Sequence, residues 1–177
     1  MLTILTLAAL IAASGATPVP ANKLLSFDQS NSKLEFIGSY DDEPIEGRFE
    51  KFSGTVNLTD PTKPAFDVQV QVGSLNSDYA DRDMVLKNSD WFDAEKFPIA
   101  RFVSSGNCSL SAPALLCPGT LTLRSISKPI SFRVTIGKTG IIEGSAELDR
   151  NAFGVGSGEW DESAVIGKSV QIRFKLF

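Results

Sequence analysis

Cys108 and Cys117 are the only cysteines in the 177-residue sequence, and their spacing limits what they can do. A redox-active dithiol is expected as C-x-x-C beside a βαβ unit, and neither is present. A structural disulfide pinching the end of a hairpin is the other reading, because strand-like runs flank the pair. The sequence contains no histidine at all. Ser-His-Asp and Cys-His catalysis are therefore closed, as are His-based zinc, copper and non-haem iron sites, and no metal or cofactor is expected. Carboxylate-only hydrolysis and a Ca²⁺ site stay open.

The remaining polar clusters are ambiguous. Asp81-Arg82-Asp83 could present Arg82 and Asp83 to a ligand head group, or form ionic contacts that tie down a helix. Asp149-Arg150 poses the same choice, whereas Asp41-Asp42 reads as a turn. Gly154-Val155-Gly156-Ser157-Gly158 lacks the lysine of a phosphate loop, and Val155 stands where a G-x-S-x-G nucleophile elbow needs glycine. Asn57-Leu58-Thr59 and Asn107-Cys108-Ser109 are formal glycosylation sequons. The net charge is −4 and the basic residues are scattered, so nucleic acid is not an expected partner.

Residues 1–16 read as a signal peptide: an apolar run from Leu2 to Ala13, then small residues with a cleavage point after Ala16. A buried N-terminal helix is the alternative, since residues 1–22 carry no Lys or Arg. Residues 17–26 then form a linker and 27–177 a single domain.

From there the chain alternates apolar and polar residues at period two. Phe66, Val68, Val70 and Val72 alternate with Asp67, Gln69 and Gln71. Ile130, Phe132, Val134 and Ile136 alternate with Ser131, Arg133 and Thr135. Ile142, Gly144, Ala146 and Leu148 continue the pattern, as do Val170, Ile172, Phe174 and Leu176. Leu121 and Leu123 mark another strand, and weaker ones fall near 33–39, 48–58 and 99–106. Turns are expected at Asp41–Pro44, Asp60–Pro64, Ser127–Pro129 and Gly137–Gly140. The result is an all-β domain of about eight antiparallel strands, a sandwich or a closed barrel just wide enough to be filled or to hold one small ligand. One insertion interrupts it. Asp78–Lys87 reads as a short helix capped by Ser77 or Asp78, followed by Trp91-Phe92 and Phe97-Pro98, and it is expected to lie over the barrel.

Five blocks in order carry a family resemblance. They are Phe27–Phe36, Gly47–Gly54, Arg82-Asp83-x-x-Leu86-Lys87-x-x-Asp90-Trp91-Phe92-Asp93-x-x-Lys96-Phe97-Pro98-x-x-Arg101-Phe102, Gly119–Ile130 and Asp149-Arg150-x-x-Phe153-Gly154-Val155-Gly156. The chain resembles the YceI-like, polyisoprenoid-binding proteins of the bacterial periplasm. The resemblance implies an eight-stranded, lipocalin-like barrel whose cavity takes an isoprenoid lipid or prenyl quinone, without catalysis. Ser125 departs from the family's usual glycine, and the Cys108/Cys117 pair is no general feature of it. On periodicity alone Phe36, Phe49, Phe52, Phe66, Phe102, Phe132 and Phe174 could simply fill a core. The resemblance assigns cavity lining to Phe36, Phe49, Phe66, Val68, Val70, Phe102, Leu121, Phe132 and Phe174, with Met84, Leu86, Trp91 and Phe92 from the insertion. Transient membrane contact and pairing of two copies stay open, as do two rivals: a filled, stress-related barrel and a carboxylate enzyme.

Overall fold

Period-two alternation lets a strand bury one face and wet the other, which suits an antiparallel sheet curled around its apolar side. The computed structural model describes residues 24–161 and 165–177. The expected signal peptide and most of the linker lie outside the described residues. Twelve strands run β1 (Leu24–Asp28), β2 (Lys33–Tyr40), β3 (Glu43–Phe49), β4 (Phe52–Asn57), β5 (Ala65–Gln71), β6 (Leu75–Asn76), β7 (Ile99–Ser104), β8 (Ser109–Ser111), β9 (Ala114–Leu123), β10 (Ile126–Ile136), β11 (Ile142–Asp149) and β12 (Ser169–Leu176). One α-helix, α1 (Ala80–Lys87), interrupts them. The strands form one curled antiparallel sheet in the order β1-β4-β5-β7-β9-β10-β11-β12-β2-β3-β6, with β8 hairpinned onto β9.

This count exceeds the eight expected, for a local reason. The single strand expected over 48–58 bends at Glu50-Lys51 and becomes β3 and β4, while Val72–Ser74 form a 3-10 turn between β5 and β6. The two bends stay bridged: Glu50 N donates to Ser74 O and Gln71 N to Lys51 O. Residues 24–26, expected in the linker, pair with Thr55–Asn57 as part of β1.

Turn chemistry shows one correction. Ser127-Lys128-Pro129 is not a turn but lies inside β10, where Pro129 faces Thr120. Proline is tolerated because β11 pairs with β10 only from Arg133 onward, leaving that stretch an open edge without a lost ladder bond. The turn is made instead by Arg124 and Ser125, with φ of 50° and 62°, between the paired Leu123 and Ile126. Asp41 and Asp42, at 52° and 63°, make the equivalent two-residue turn between β2 and β3. A left-handed conformation costs a non-glycine residue about 1–2 kcal/mol, part of which glycine returns as unfolded-state entropy. Ser125→Gly is therefore expected to raise stability by about 0.5–1 kcal/mol, read as a higher urea midpoint at unchanged m-value.

The apolar interior packs Phe27, Phe52, Val56, Phe66, Cys117, Val134, Ile142 and Leu176 into one cluster. Cys108 and Cys117 are joined by a disulfide, one register step outside the Ser109–Leu116 pair of the β8–β9 hairpin. The bond sits in this core and not at the rim of the cavity described below. Closing so short a loop contributes about 2–3 kcal/mol in the chain-entropy description. Cys108→Ala with Cys117→Ala is expected to lose about that amount in chemical denaturation, and reductant is expected to have no further effect on the double variant.

Candidate functional site

The sheet encloses a cavity of about 630 Å³, within the range of single-ligand pockets. Most of the alternating strands supply inward side chains to this cavity, while Ile142 and Ala146 of β11 pack in the core. β5 gives Phe66, Val68 and Val70; β7 gives Phe102; β9 gives Leu121 and Leu123; β10 gives Phe132 and Val134; β12 gives Val170, Ile172 and Phe174. β2 and β3 add Leu34, Phe36, Ile45 and Phe49. Several of these rings touch: Phe102 and Phe132 have centroids 4.8 Å apart, Phe132 and Phe174 5.4 Å, and Phe36 and Phe49 5.4 Å. The phenylalanines are thus both core and wall. Phe102, Phe132 and Phe174 pack edge to face and Phe36 and Phe49 at a tilt, while one surface of the set borders the lumen.

The insertion closes one end. α1 turns Arg82, Val85 and Leu86 toward the cavity, spaced i, i+3 and i+4 on one helical face. Trp91, Phe153 and Val155 form a second buried cluster with Leu86, Phe92, Leu123 and Trp160 packed around it. Phe49 meets Phe92 with centroids 6.3 Å apart, so a line of rings runs from the wall into this cap. Tyr40 and Tyr79 stand exposed at the opening.

Two arginines knit the cap, and both work on carbonyls. Arg150 is only 5% exposed. It donates from Nε to Gly167 O at 3.0 Å, from Nη1 to Val155 O and Gly156 O at 2.9 Å each, and from Nη2 to Trp160 O at 2.8 Å. Its guanidinium also lies 5.4 Å from the Trp91 ring centroid. Burial pulls its pKa below the ordinary arginine value, against the charges of Asp161 and Asp149, yet a guanidinium stays protonated. Arg124 donates to Ser89 O, Asp90 O, Trp91 O and Gly154 O, binding the aromatic insertion to the 154 turn. Arg48 anchors the start of the insertion through Asp78 at 2.8 Å, and that hydrogen bond holds the Asp78 carboxyl below the usual carboxylate range.

All the expected wall residues on strands border the cavity: Phe36, Phe49, Phe66, Val68, Val70, Phe102, Leu121, Phe132 and Phe174. From the insertion, Leu86, Trp91 and Phe92 do so as well. Met84 does not. It is 66% exposed on the outer side of α1, two positions before the inward-facing Leu86. Asp83 is also no cavity residue. Its carboxylate accepts from Ser77 N and Oγ, closing the first turn of the helix, whose N-cap position is Tyr79 and not Ser77 or Asp78. Arg82 borders the mouth but donates to Ser77 Oγ at 2.8 Å and Ser77 O at 2.6 Å. Arg82 and Asp83 are therefore not an ion pair; they converge on one buried serine. Arg150, left ambiguous in sequence, binds backbone.

Sequence reasoning did not assign to the lining Leu34, Ile45, Leu123, Val134, Val170 and Ile172 on strands, nor Tyr79, Val85, Phe153, Val155, Trp160 and Ile166 outside them. For the second group, which lies outside the strands, no period of two reports direction. Among the described residues the lining includes one carboxylate, Asp81, and it is exposed at the mouth.

The family model of the YceI-like domain matches residues 25–177. A UPF0312 protein of Pseudomonas putida (strain W619) is 29% identical over 139 residues, covering 72% of each chain. BcnA of Burkholderia cenocepacia superposes with a TM-score of 0.79 at 28% identity, over 85% of this chain and 98% of that one. A polyisoprenoid binding domain from Saccharophagus degradans, implicated in plant cell wall breakdown, superposes with a TM-score of 0.65 at 15% identity, over 87% and 97%. At that identity the likeness is one of fold.

Proposed function

Because the chain belongs to the YceI-like family, we propose that it is a non-catalytic periplasmic carrier holding one isoprenoid-type lipid, a polyprenyl or prenyl-quinone chain, in its lumen. The observation that carries this reading is the cavity of about 630 Å³ walled mainly by aromatic and aliphatic side chains. Each enclosed CH₂ contributes about 0.8 kcal/mol, so a long chain needs few polar contacts to bind tightly. The bent pairs β3–β4 and β5–β6 each count as one stave in this reading, which makes the curled sheet a lipocalin-like barrel of eight staves with β1 and β8 as additions. A disulfide suits an oxidising compartment, in agreement with export directed by residues 1–16. The exposed Tyr40 and Tyr79 at the opening suit brief contact with a membrane surface, since amphipathic rings favour the interface.

Native mass spectrometry of the protein purified from a bacterial periplasm, followed by organic extraction, tests the proposal. The expected result is a protein peak carrying one isoprenoid lipid, or an empty protein that takes up added prenyl quinone one to one. The same spectrum reads whether two copies pair. An empty protein that also refuses prenyl quinone overturns the carrier reading and favours a barrel acting through its surface.

A further inference from the structure

At four positions where alternation calls for an inward side chain the sheet has glycine instead, and a phenylalanine ring takes the space. Phe36 faces Gly47 across β2–β3, Phe174 faces Gly144 across β12–β11, and Phe27 faces Gly54 across β1–β4. Phe102 reaches Gly119 on the diagonal, since Gly119 is paired with Ser104. A Cβ added at any of these glycines would come within 3 Å of the paired ring, closer than real Cβ atoms approach. The rings therefore lie along the bare backbone of the neighbouring strand instead of projecting into the cavity. A glycine inside a strand is otherwise a loss, because it has no side chain to pack and more entropy to surrender.

The four positions differ in what surrounds them. At Gly54, Gly119 and Gly144 an added methyl would also press on backbone carbonyls, of Asp67, Val103 and Arg133 respectively. At Gly47 the three nearest atoms all belong to the Phe36 ring. There the added methyl meets the ring first, and a ring displaced from the wall moves toward the lumen it borders or against Phe49.

We propose that these glycine–phenylalanine pairs, Gly47–Phe36 foremost, set the calibre of the lumen and thereby its selectivity for a methyl-branched chain over a straight one. This inference rests on the carrier reading. A methyl-branched prenyl chain is thicker than an unbranched alkyl chain of the same carbon number, so it is the first to be excluded when a ring leaves the wall. Gly47 is a positioning residue in this sense, acting on the ligand through Phe36.

The test uses two benzoquinones with the same head group, one with a prenyl tail and one with a linear alkyl tail of equal carbon number. Binding is measured to the wild-type protein, G47A, F36L and G47A/F36L. G47A is expected to lose tenfold or more in affinity for the prenyl tail and less than threefold for the linear one. G47A/F36L is expected to recover the prenyl affinity, because the smaller leucine leaves room for the added methyl. Equal affinities of G47A and wild type for the prenyl tail, equal losses for both tails, or failure of the double variant to recover would each overturn the proposal. If G47A does not fold, F36L alone decides: it is expected to raise the prenyl-to-linear affinity ratio, and an unchanged ratio defeats the idea. A wild-type protein that binds neither tail defeats the carrier reading and this inference with it. Wild-type binding without a selectivity change in the variants defeats this inference alone.

Discussion

Replacing Arg150 with alanine is expected to cost about 4 kcal/mol of stability, the largest single effect in the molecule. The side chain is nearly fully buried and donates to four carbonyls, those of Val155, Gly156, Trp160 and Gly167. Hydrogen bonds from a charged donor contribute about 1.5–3 kcal/mol each, and a buried carbonyl left without its donor carries a further penalty. The terms do not add fully, since the freed turns can open and find water, and a total near 4 kcal/mol is the result. For a domain of this size that lowers the melting temperature by roughly 8–16 °C. Lysine is not a conservative replacement. One ammonium cannot span four carbonyls in the plane that a guanidinium reaches, so Arg150→Lys is expected to lose about half as much. Because Arg150 also lies over Trp91, the loss concentrates in the cap, and hydrogen exchange is expected to rise first around Phe153–Trp160. Thermal and urea unfolding check this, and a loss below about 1 kcal/mol for the alanine variant would show that the cap is held by something else.

Filling the lumen is expected to abolish ligand uptake while leaving the fold intact. Val68 on β5 and Ile172 on β12 both border the cavity and are only partly buried, so Val68→Trp combined with Ile172→Trp grows into open space. Overpacking a tight core costs about 1–3 kcal/mol. Here the added rings bury new apolar area against Phe102 or Phe174 instead, so the stability change is expected to stay within about 1 kcal/mol. The ligand loses far more. Excluding the five carbons of one isoprene unit forfeits about 4 kcal/mol, a factor of roughly 10³ in Kd. Quinone titration followed by intrinsic fluorescence, alongside a urea melt, reads both quantities. Unaltered binding in the filled variant would place the ligand elsewhere on the molecule.

The inward face of the sheet was legible in sequence because strand geometry is binary, whereas the reading of that face as a cavity wall came from the family resemblance. Once Phe66, Val68 and Val70 are seen to alternate with Asp67 and Gln69, the burial of one requires the inward direction of the others, and the structure places all three on the lumen. Phe132, Phe174 and Leu121 followed by the same logic. The cap was less legible. An eight-residue helix has little more than two turns, so Met84, Val85 and Leu86 compete for one inward direction, and only docking against Trp91 and Phe92 turns Leu86 in and leaves Met84 in solvent. Arg82, Asp83 and Arg150 could not be sorted in sequence, because a charged side chain that binds a ligand and one that binds backbone look alike until the carbonyls are in place.

The cysteines mark the same boundary. Their number, the absence of C-x-x-C and the strands around them singled out a hairpin disulfide from sequence alone; that Cys117 would be fully buried in the core, away from the mouth, depended on how the hairpin folds back. Sequence by itself determined the all-β class, the inward face of the clearly alternating strands and the lack of histidine chemistry, all of which follow from residue type and a period of two. Periodicity left open whether the inward phenylalanines fill the interior or line it, and the tertiary structure sets Phe36, Phe49, Phe66, Phe102, Phe132 and Phe174 along the cavity. In that arrangement glycines such as Gly47 and Gly144 lie opposite Phe36 and Phe174 only once consecutive strands are paired in register. Register is a property of strand pairs, and no single strand encodes it.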